Sequence, residues 1–460
     1  MYNFFKKGLL GATVIAMASL TACEDETTYE IYQDPTDITL QVAQTNLEFK
    51  GNATRSQLVD ITSPVSPTVT STGNWRELAI VDYTPHYNFQ YRVLPIASLD
   101  EQSYTITVKA GDATQTVNVH QTPADPGFLG LGWNLGNHFD TSNMEWGYWD
   151  HSTPTAELYQ GLKAEGFSSV RIPITWTNHM DQDYKIDANY LAEVGANVDN
   201  ALAAGLQVIV NTHHDSFETA LGLSIATQAD STWYANLIAN TWTQIATYFV
   251  DRDKNLMFET FNEVHDGDNW STNSQAQFDA LNKWNQIAVN AIRATGGNNA
   301  TRCIGISGYA ANVDLTIDYL VLPNDPGNNL AVSVHNYDPY KFCLEASVNE
   351  WGTDAEKQAI DDLMFKLADK FLNNGVQVYM GEFGCSKRAN AADEPARLEW
   401  LKYFARMART YGISLMLWDN ASNAGGQESH AYFDHNNGKI VDEDAAAALK
   451  AITDGYNNVK

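Results

Sequence analysis

From residue 127 onward, short apolar runs rich in β-branched residues alternate with longer stretches of helical periodicity, and this alternation constrains the fold more than anything else in the chain. Strands are expected at 130–135, 169–174, 207–211, 256–260, 302–307, 331–335, 376–380 and 414–418. Helical patterns lie between them, among them 189–204, 233–249, 276–294, 355–372 and 395–411. Eight strand–helix units within roughly 330 residues are what an α/β fold of the (β/α)8 TIM-barrel type requires. A doubly wound open sheet is the competing arrangement, but no Gly-rich phosphate loop follows any of the runs.

The texture ahead of the barrel is different. Residues 39–122 carry short alternating stretches, such as Thr105-Ile106-Thr107-Val108 and Thr116-Val117-Asn118-Val119, broken by Gly, Pro, Ser and Asn. That is the pattern of a small all-β, immunoglobulin-like sandwich. ITLQVAQTNLEF, Trp75 and ATQTVNVHQ resemble the BACON domain of Bacteroidetes carbohydrate-active proteins. A single Trp suits a sandwich core better than a sugar platform, so a spacer is expected. Residues 123–126 form a stiff linker, and the catalytic barrel is expected over 127–460.

The first 22 residues combine Lys6 and Lys7 with an apolar run too short to span a bilayer comfortably, as in a secretion signal. LTAC, ending at Cys23, resembles the bacterial lipobox, which implies cleavage before Cys23, lipid on its thiol, and residues 23–38 as a tether. Glu24-Asp25-Glu26 resembles the export signal of Bacteroidetes surface lipoproteins. The expected location is the outer membrane or cell surface of such a Gram-negative bacterium, with membrane contact only through the lipid anchor. A monomer is expected.

A balance of 28 Lys+Arg against 56 Asp+Glu gives a formal charge of −28, which repels nucleic acid and anionic membrane surfaces. A neutral ligand meets no such barrier, and 12 Trp and 22 Tyr supply flat apolar faces for sugar rings. Cys303, Cys343 and Cys385 stand at no metal-like spacing and imply no disulfide framework. They are expected as buried thiols, with a pairing of Cys343 and Cys385 left open.

In a parallel barrel the chemistry gathers at the carboxyl ends of the strands. Arg171 lies on the second run, His213-His214-Asp215 follows the third, and Asn262-Glu263 follows the fourth. His335-Asn336-Tyr337 follows the sixth, Glu382-Phe383-Gly384 the seventh, and Trp418 ends the eighth. Carboxylates at the ends of the fourth and seventh strands face each other across one barrel mouth. Glycoside cleavage needs two such groups, one to protonate the leaving oxygen and one to attack or to activate water.

GWNLGN at 132–137, RIPI at 171–174, HHD at 213–215, NE at 262–263, HNY at 335–337, EFG at 382–384 and Trp418 resemble glycoside hydrolase family five in order and spacing. The resemblance covers nearly all of residues 127–460. It implies Glu263 as acid/base and Glu382 as nucleophile, with Asn262 on the sugar 2-hydroxyl. Arg171 and Tyr337 would orient Glu382, His214 and His335 would complete the polar floor beside His213, and Trp418 would stack under the sugar. Asn134 and Asn137 are expected near the substrate. Trp146, Trp149, Trp176, Trp270 and Trp351 are further stacking candidates. SVHNYDPYKFC, MGEFGC and LWDN resemble the family's fourth subfamily, which implies a retaining endo-β-1,4-glucanase for cellulose-like, mixed-linkage or xyloglucan chains. His138 and Ser216-Phe217 depart from that pattern at the cleft border.

No cofactor and no metal are implied. A zinc hydrolase using His213, His214, Glu263, His335 and Glu382 would be expected to carry His-x-His or HExxH, and neither appears. A non-catalytic glycan-binding lipoprotein, and a mannan or xylan hydrolase of the same family, are the alternatives.

Overall fold

In the computed structural model, residues 38–84, 87–142, 147–216, 232–266, 269–271 and 274–459 are described. Residues 1–37, Cys23 among them, lie outside these, as do Trp146 and Phe217.

Eight strands form the N-terminal unit: β1 (Gln41–Val42), β2 (Asn46–Phe49), β3 (Gln57–Thr62), β4 (Thr68–Ser71), β5 (Trp75–Thr84), β6 (Asn88–Pro95), β7 (Gln102–Ala110) and β8 (Ala113–Gln121). They make two four-stranded sheets, ordered β1-β3-β6-β5 and β2-β8-β7-β4. Alternation places Val59, Ile61, Tyr91 and Val93 from one sheet against Leu47, Val108, Val117 and Val119 from the other in a shared apolar core. Trp75 leans on that core, its ring 5.3 Å from Tyr104.

The next eight strands close a parallel barrel: β9 (Leu131–Asn134), β10 (Ser169–Ile172), β11 (Gln207–Asn211), β12 (Leu256–Glu259), β13 (Ile304–Asn312), β14 (Leu330–Asn336), β15 (Gln377–Phe383) and β16 (Ser414–Leu417). All eight expected runs are strands. They are buried almost throughout, because the barrel interior covers one face and the helices the other. The expected helices appear as Ala188–Ala203, Thr232–Tyr248, Gln275–Ala294, Asp354–Lys370 and Glu394–Tyr411. Local chemistry sets their ends. Thr353 and Glu356 cap the start of Asp354–Lys370 reciprocally, and Gly412, at φ 76°, turns the chain out of Glu394–Tyr411.

The fifth strand runs beyond its expected end at residue 307. A register shift between Ser307 and Asn312, with Ala310 and Ala311 in left-handed backbone, carries it to the cleft. The sandwich docks on the helix Asp354–Lys370: Arg76 pairs with Asp361 and Asp362 and lies 3.7 Å over the Phe365 ring, while Thr54 Oγ1 donates to Asp369 Oδ1 at 3.1 Å.

Candidate active site

The barrel mouth opens into a cleft of about 580 Å³. Its lining includes His213, His214, Asn262, Glu263, His335, Tyr337, Glu382 and Trp418, which the sequence had dispersed over some two hundred residues. An oxygen of Glu263, a ring nitrogen of His335 and an oxygen of Glu382 all lie within 4.8 Å of one another.

The two carboxylates are held differently. Glu382, at the end of β15, is 5 % exposed. Its Oε1 accepts from Arg171 Nη1 at 2.8 Å and its Oε2 from the Tyr337 hydroxyl at 3.0 Å. Glu263, on the loop after β12, opens partly to the cleft and meets His335 Nδ1 at 2.6 Å. Burial pushes Glu263 up to about 7 against the pull of Arg171 and His265, with Glu259 and Glu428 adding to the rise. Burial also raises Glu382, with Glu263 adding to the rise and Arg171 opposing it. Two donors on one carboxylate and a single ring nitrogen on the other favour the proton on Glu263. His335 is itself driven down to about 4 by burial, so its imidazole is neutral between them.

Arg171 is fully buried and does not line the cleft. It works from below, donating to Glu382 and, through Nη2, to Asn262 Oδ1 at 2.7 Å. That bond turns the Asn262 amide so that its oxygen is taken. Asn134, expected near the substrate or one layer behind it, lies behind: it is fully buried beside Arg171. Its Oδ1 accepts from Arg171 Nη1 at 3.0 Å, and its Nδ2 donates to the Gly381 and Met416 carbonyls, tying β9 to β15 and β16. Asn137, also expected there, is used by the loop: at φ 61° its backbone N–H reaches Asp140 and its Nδ2 the Asn420 carbonyl. Neither lines the cleft, and both side-chain amides donate to backbone carbonyls behind it.

His213 and Trp418 lie parallel, centroids 6.0 Å apart, with Trp418 half-exposed toward the cleft. Gly136 makes room for this platform, since a Cβ there would lie 2.8 Å from the Trp418 ring and 2.6 Å from the Asp419 carbonyl. Asn211 fixes the His213 tautomer. Its Oδ1 accepts from Ile174 N and its Nδ2 donates to Glu259, so the same Nδ2 can only donate to His213 Nδ1. The ring proton is therefore on Nε2, facing Asp140 Oδ2 at 3.9 Å. Asp140, His213 and His214 are grouped closely enough for a cation, but a metal on His213 Nε2 would force a proton onto the nitrogen that Asn211 already addresses.

Among the other tryptophans, Trp270 lines the cleft, 45 % exposed and stacked 3.6 Å from His265. Trp149 sits 6.0 Å from His214, whereas Trp176 and Trp351 are buried packing. Lining residues not singled out beforehand include Tyr340, Glu428 and Ala310. Glu259, buried behind Arg171, was also missed; a carboxylate inside an otherwise apolar LMFE strand was the available signal. Cys343 and Cys385 are both buried free thiols.

Residues 133–424 match the Cellulase (glycosyl hydrolase family 5) description. The chain is similar to the cellulase/esterase CelE of Acetivibrio thermocellus, with 34 % identity over 309 residues, 65 % of this chain but 37 % of that protein. It therefore spans little more than a third of that relative's length. Among solved structures it is similar to a Bacteroidetes-affiliated GH5 cellulase linked with a polysaccharide utilization locus, at 36 % identity and TM-score 0.68, covering 72 % of this chain and 92 % of that one. A Bacteroides ovatus GH5 xyloglucanase in complex with a XXXG heptasaccharide, at 25 % identity and TM-score 0.64, covers 91 % of this chain and all of the other.

Proposed function

Because the chain belongs to the cellulase family, glycosyl hydrolase family 5, we propose that it is a retaining endo-β-1,4-glucanase that cuts internal linkages of plant β-glucans by double displacement. One observation carries the reading: oxygens of Glu263 and Glu382 within 4.8 Å of each other, with the stronger donors on Glu382. Carboxyl groups about 5 Å apart suit direct attack on the anomeric carbon, whereas inversion needs a gap of roughly 6.5–9.5 Å to admit water. Glu263 protonates the departing oxygen, Glu382 forms the glycosyl ester, and Glu263 then takes a proton from the water that releases it. His335 is the neutral neighbour of both. The Asn262 amide N–H groups face the sugar 2-hydroxyl, Trp418 carries the ring, and His213 and His214 form the floor beside it.

Similarity to a cellulase and to a xyloglucanase with bound heptasaccharide supports a glucan backbone of the cellulose, mixed-linkage or xyloglucan type. The polysaccharide-utilization relative supports an extracytoplasmic role. The lipobox-like segment supports a lipid anchor at Cys23 with residues 23–38 as a tether, and the two four-stranded sheets support a BACON-like spacer over 39–122 ahead of the catalytic unit at 127–460. The purified protein is expected to release oligosaccharides of mixed length from β-glucan and xyloglucan, faster than from mannan or xylan, with the β-anomer formed first by NMR. No hydrolysis of any of the four, or an α-anomer formed first, contradicts the proposal.

A further inference from the structure

Glu259 is the carboxylate the reaction does not touch. It ends β12, is fully buried, and is absent from the cleft lining. Yet residues from four other barrel strands converge on it. Arg171 donates from Nε at 3.1 Å and Nη2 at 2.7 Å, Asn211 Nδ2 at 2.9 Å, Ser333 Oγ at 3.0 Å and the Tyr379 hydroxyl at 2.6 Å. Gly305 makes room for the last, because a Cβ there would lie 2.1 Å from the Tyr379 oxygen. Burial opposes ionisation of Glu259, but the charge and hydrogen bonds of Arg171 and the Tyr379 hydrogen bond outweigh it and hold its carboxyl below the usual range.

The guanidinium has five N–H donors in one plane. Here each has an acceptor: Nε–H lies between the two Glu259 oxygens, at 3.1 Å from Oε1 and 3.3 Å from Oε2, one Nη2–H goes to Oε1, the other to Asn262, and the two Nη1–H go to Asn134 and Glu382. This side-on grip fixes the plane as well as the position of the group. Without it, Nε–H and one Nη2–H would be buried with no acceptor, and the plane would rest on the bonds to Asn134, Asn262 and Glu382 alone.

We infer that Glu259 is a positioning residue for the reaction: it fixes Arg171 in the one orientation that serves Glu382 and Asn262 together, and it divides that positive charge between two carboxylates. This rests on the roles proposed for Glu263 and Glu382. The consequence for Glu263 follows from charge. Arg171 and His265 favour its ionised form, Glu259 and Glu428 oppose it, and neutral His335 sits against it. Glu382 feels Glu263 and Arg171. Deleting the Glu259 charge leaves Arg171 less answered, and Glu263 gives up its proton at lower pH.

The test is the pH dependence of kcat/KM on mixed-linkage glucan for native protein, Glu259→Gln, Glu259→Asp and Glu263→Gln. Glu259→Gln is expected to lose at least about tenfold in kcat/KM, since its amide turns N–H groups toward donors. Its alkaline limb is expected to move down by roughly one pH unit. Glu259→Asp keeps the charge and shortens the reach, so it should lose kcat with the limb in place. A purely structural brace would lower the melting temperature and leave both limbs where they were. An unmoved limb in folded Glu259→Gln, or native kcat/KM in Glu259→Asp, overturns the inference. If Glu259→Gln does not fold, native kcat/KM in Glu259→Asp still overturns the inference, and a loss carried by kcat with an unchanged melting temperature supports it. An alkaline limb that persists in Glu263→Gln would instead fault the acid/base reading itself.

Discussion

Replacing Glu263 with Gln puts numbers on the proton-transfer assignment. Burial lifts Glu263 to about 7, and the general acid has to be protonated when the leaving oxygen departs. The sign follows: activity of the native enzyme is lost as pH rises through that value, and about one molecule in ten keeps the proton one unit higher. Gln does not titrate, so the alkaline limb should disappear and the residual rate become flat. Removing a general acid costs about a hundred- to ten-thousandfold, or about 3–5 kcal/mol of barrier. That loss belongs to glucan, whose leaving alkoxide must be protonated. A dinitrophenyl cellobioside leaves without a proton, so its first step should survive while release of the glycosyl ester, deprived of its base, becomes slow. Initial rates across pH and a stopped-flow burst of dinitrophenolate measure both effects. A burst slowed as much as glucan hydrolysis, or an alkaline limb that survives the substitution, contradicts the assignment.

Other outcomes follow from the same geometry. Tyr337→Phe removes a donor from ionised Glu382, so kcat/KM should fall by about tenfold or more and the acid limb should move to higher pH; a limb that moves down contradicts the role. Gly136→Ala places a methyl against the Trp418 ring and the Asp419 carbonyl, and should both lower the melting temperature and raise KM for glucan; a native KM contradicts the platform role. Behind the cleft, burial lowers the proton affinity of His435, but Asp419 at 3.2 Å and Asp150 at 2.8 Å reverse this and raise it to about 9. A raised histidine stabilises fully below its unfolded value near 6.5 and loses that contribution as pH climbs through about 9, here roughly 3 kcal/mol. Thermal unfolding should therefore show stability declining across that window, and His435→Asn should flatten the decline; an unchanged slope removes His435 as its cause.

The barrel strands were legible because β-branched runs buried on both faces have few other places to go, and the two carboxylates because ionisable residues at the ends of such runs have to face the mouth. The sandwich core was legible from alternation at Val117 and Val119. What escaped depends on ring closure or on loop packing, which one-dimensional spacing does not encode. Glu259 looks like the last residue of an apolar strand until Arg171, Asn211, Ser333 and Tyr379 from four other strands meet it. Asn134 and Asn137 have the residue type of substrate ligands, but carbonyls of β15, β16 and the following loop capture their amides. Trp270 and Trp176 are indistinguishable as letters, and only packing sends one to the cleft and the other to the core. Alanines 310 and 311 give no local signal for the left-handed turn that carries β13 to the cleft wall.

Double displacement requires that Glu382 become covalently bonded to the sugar while Glu263 handles the proton. A 2-deoxy-2-fluoro cellobioside with a dinitrophenolate leaving group should inactivate the protein with time. Peptide mapping by mass spectrometry should then place the fluoroglycosyl ester on Glu382, and Glu382→Gln should take up no label. Label on Glu263 or Glu259, or full activity after prolonged incubation of an otherwise active preparation, would contradict it.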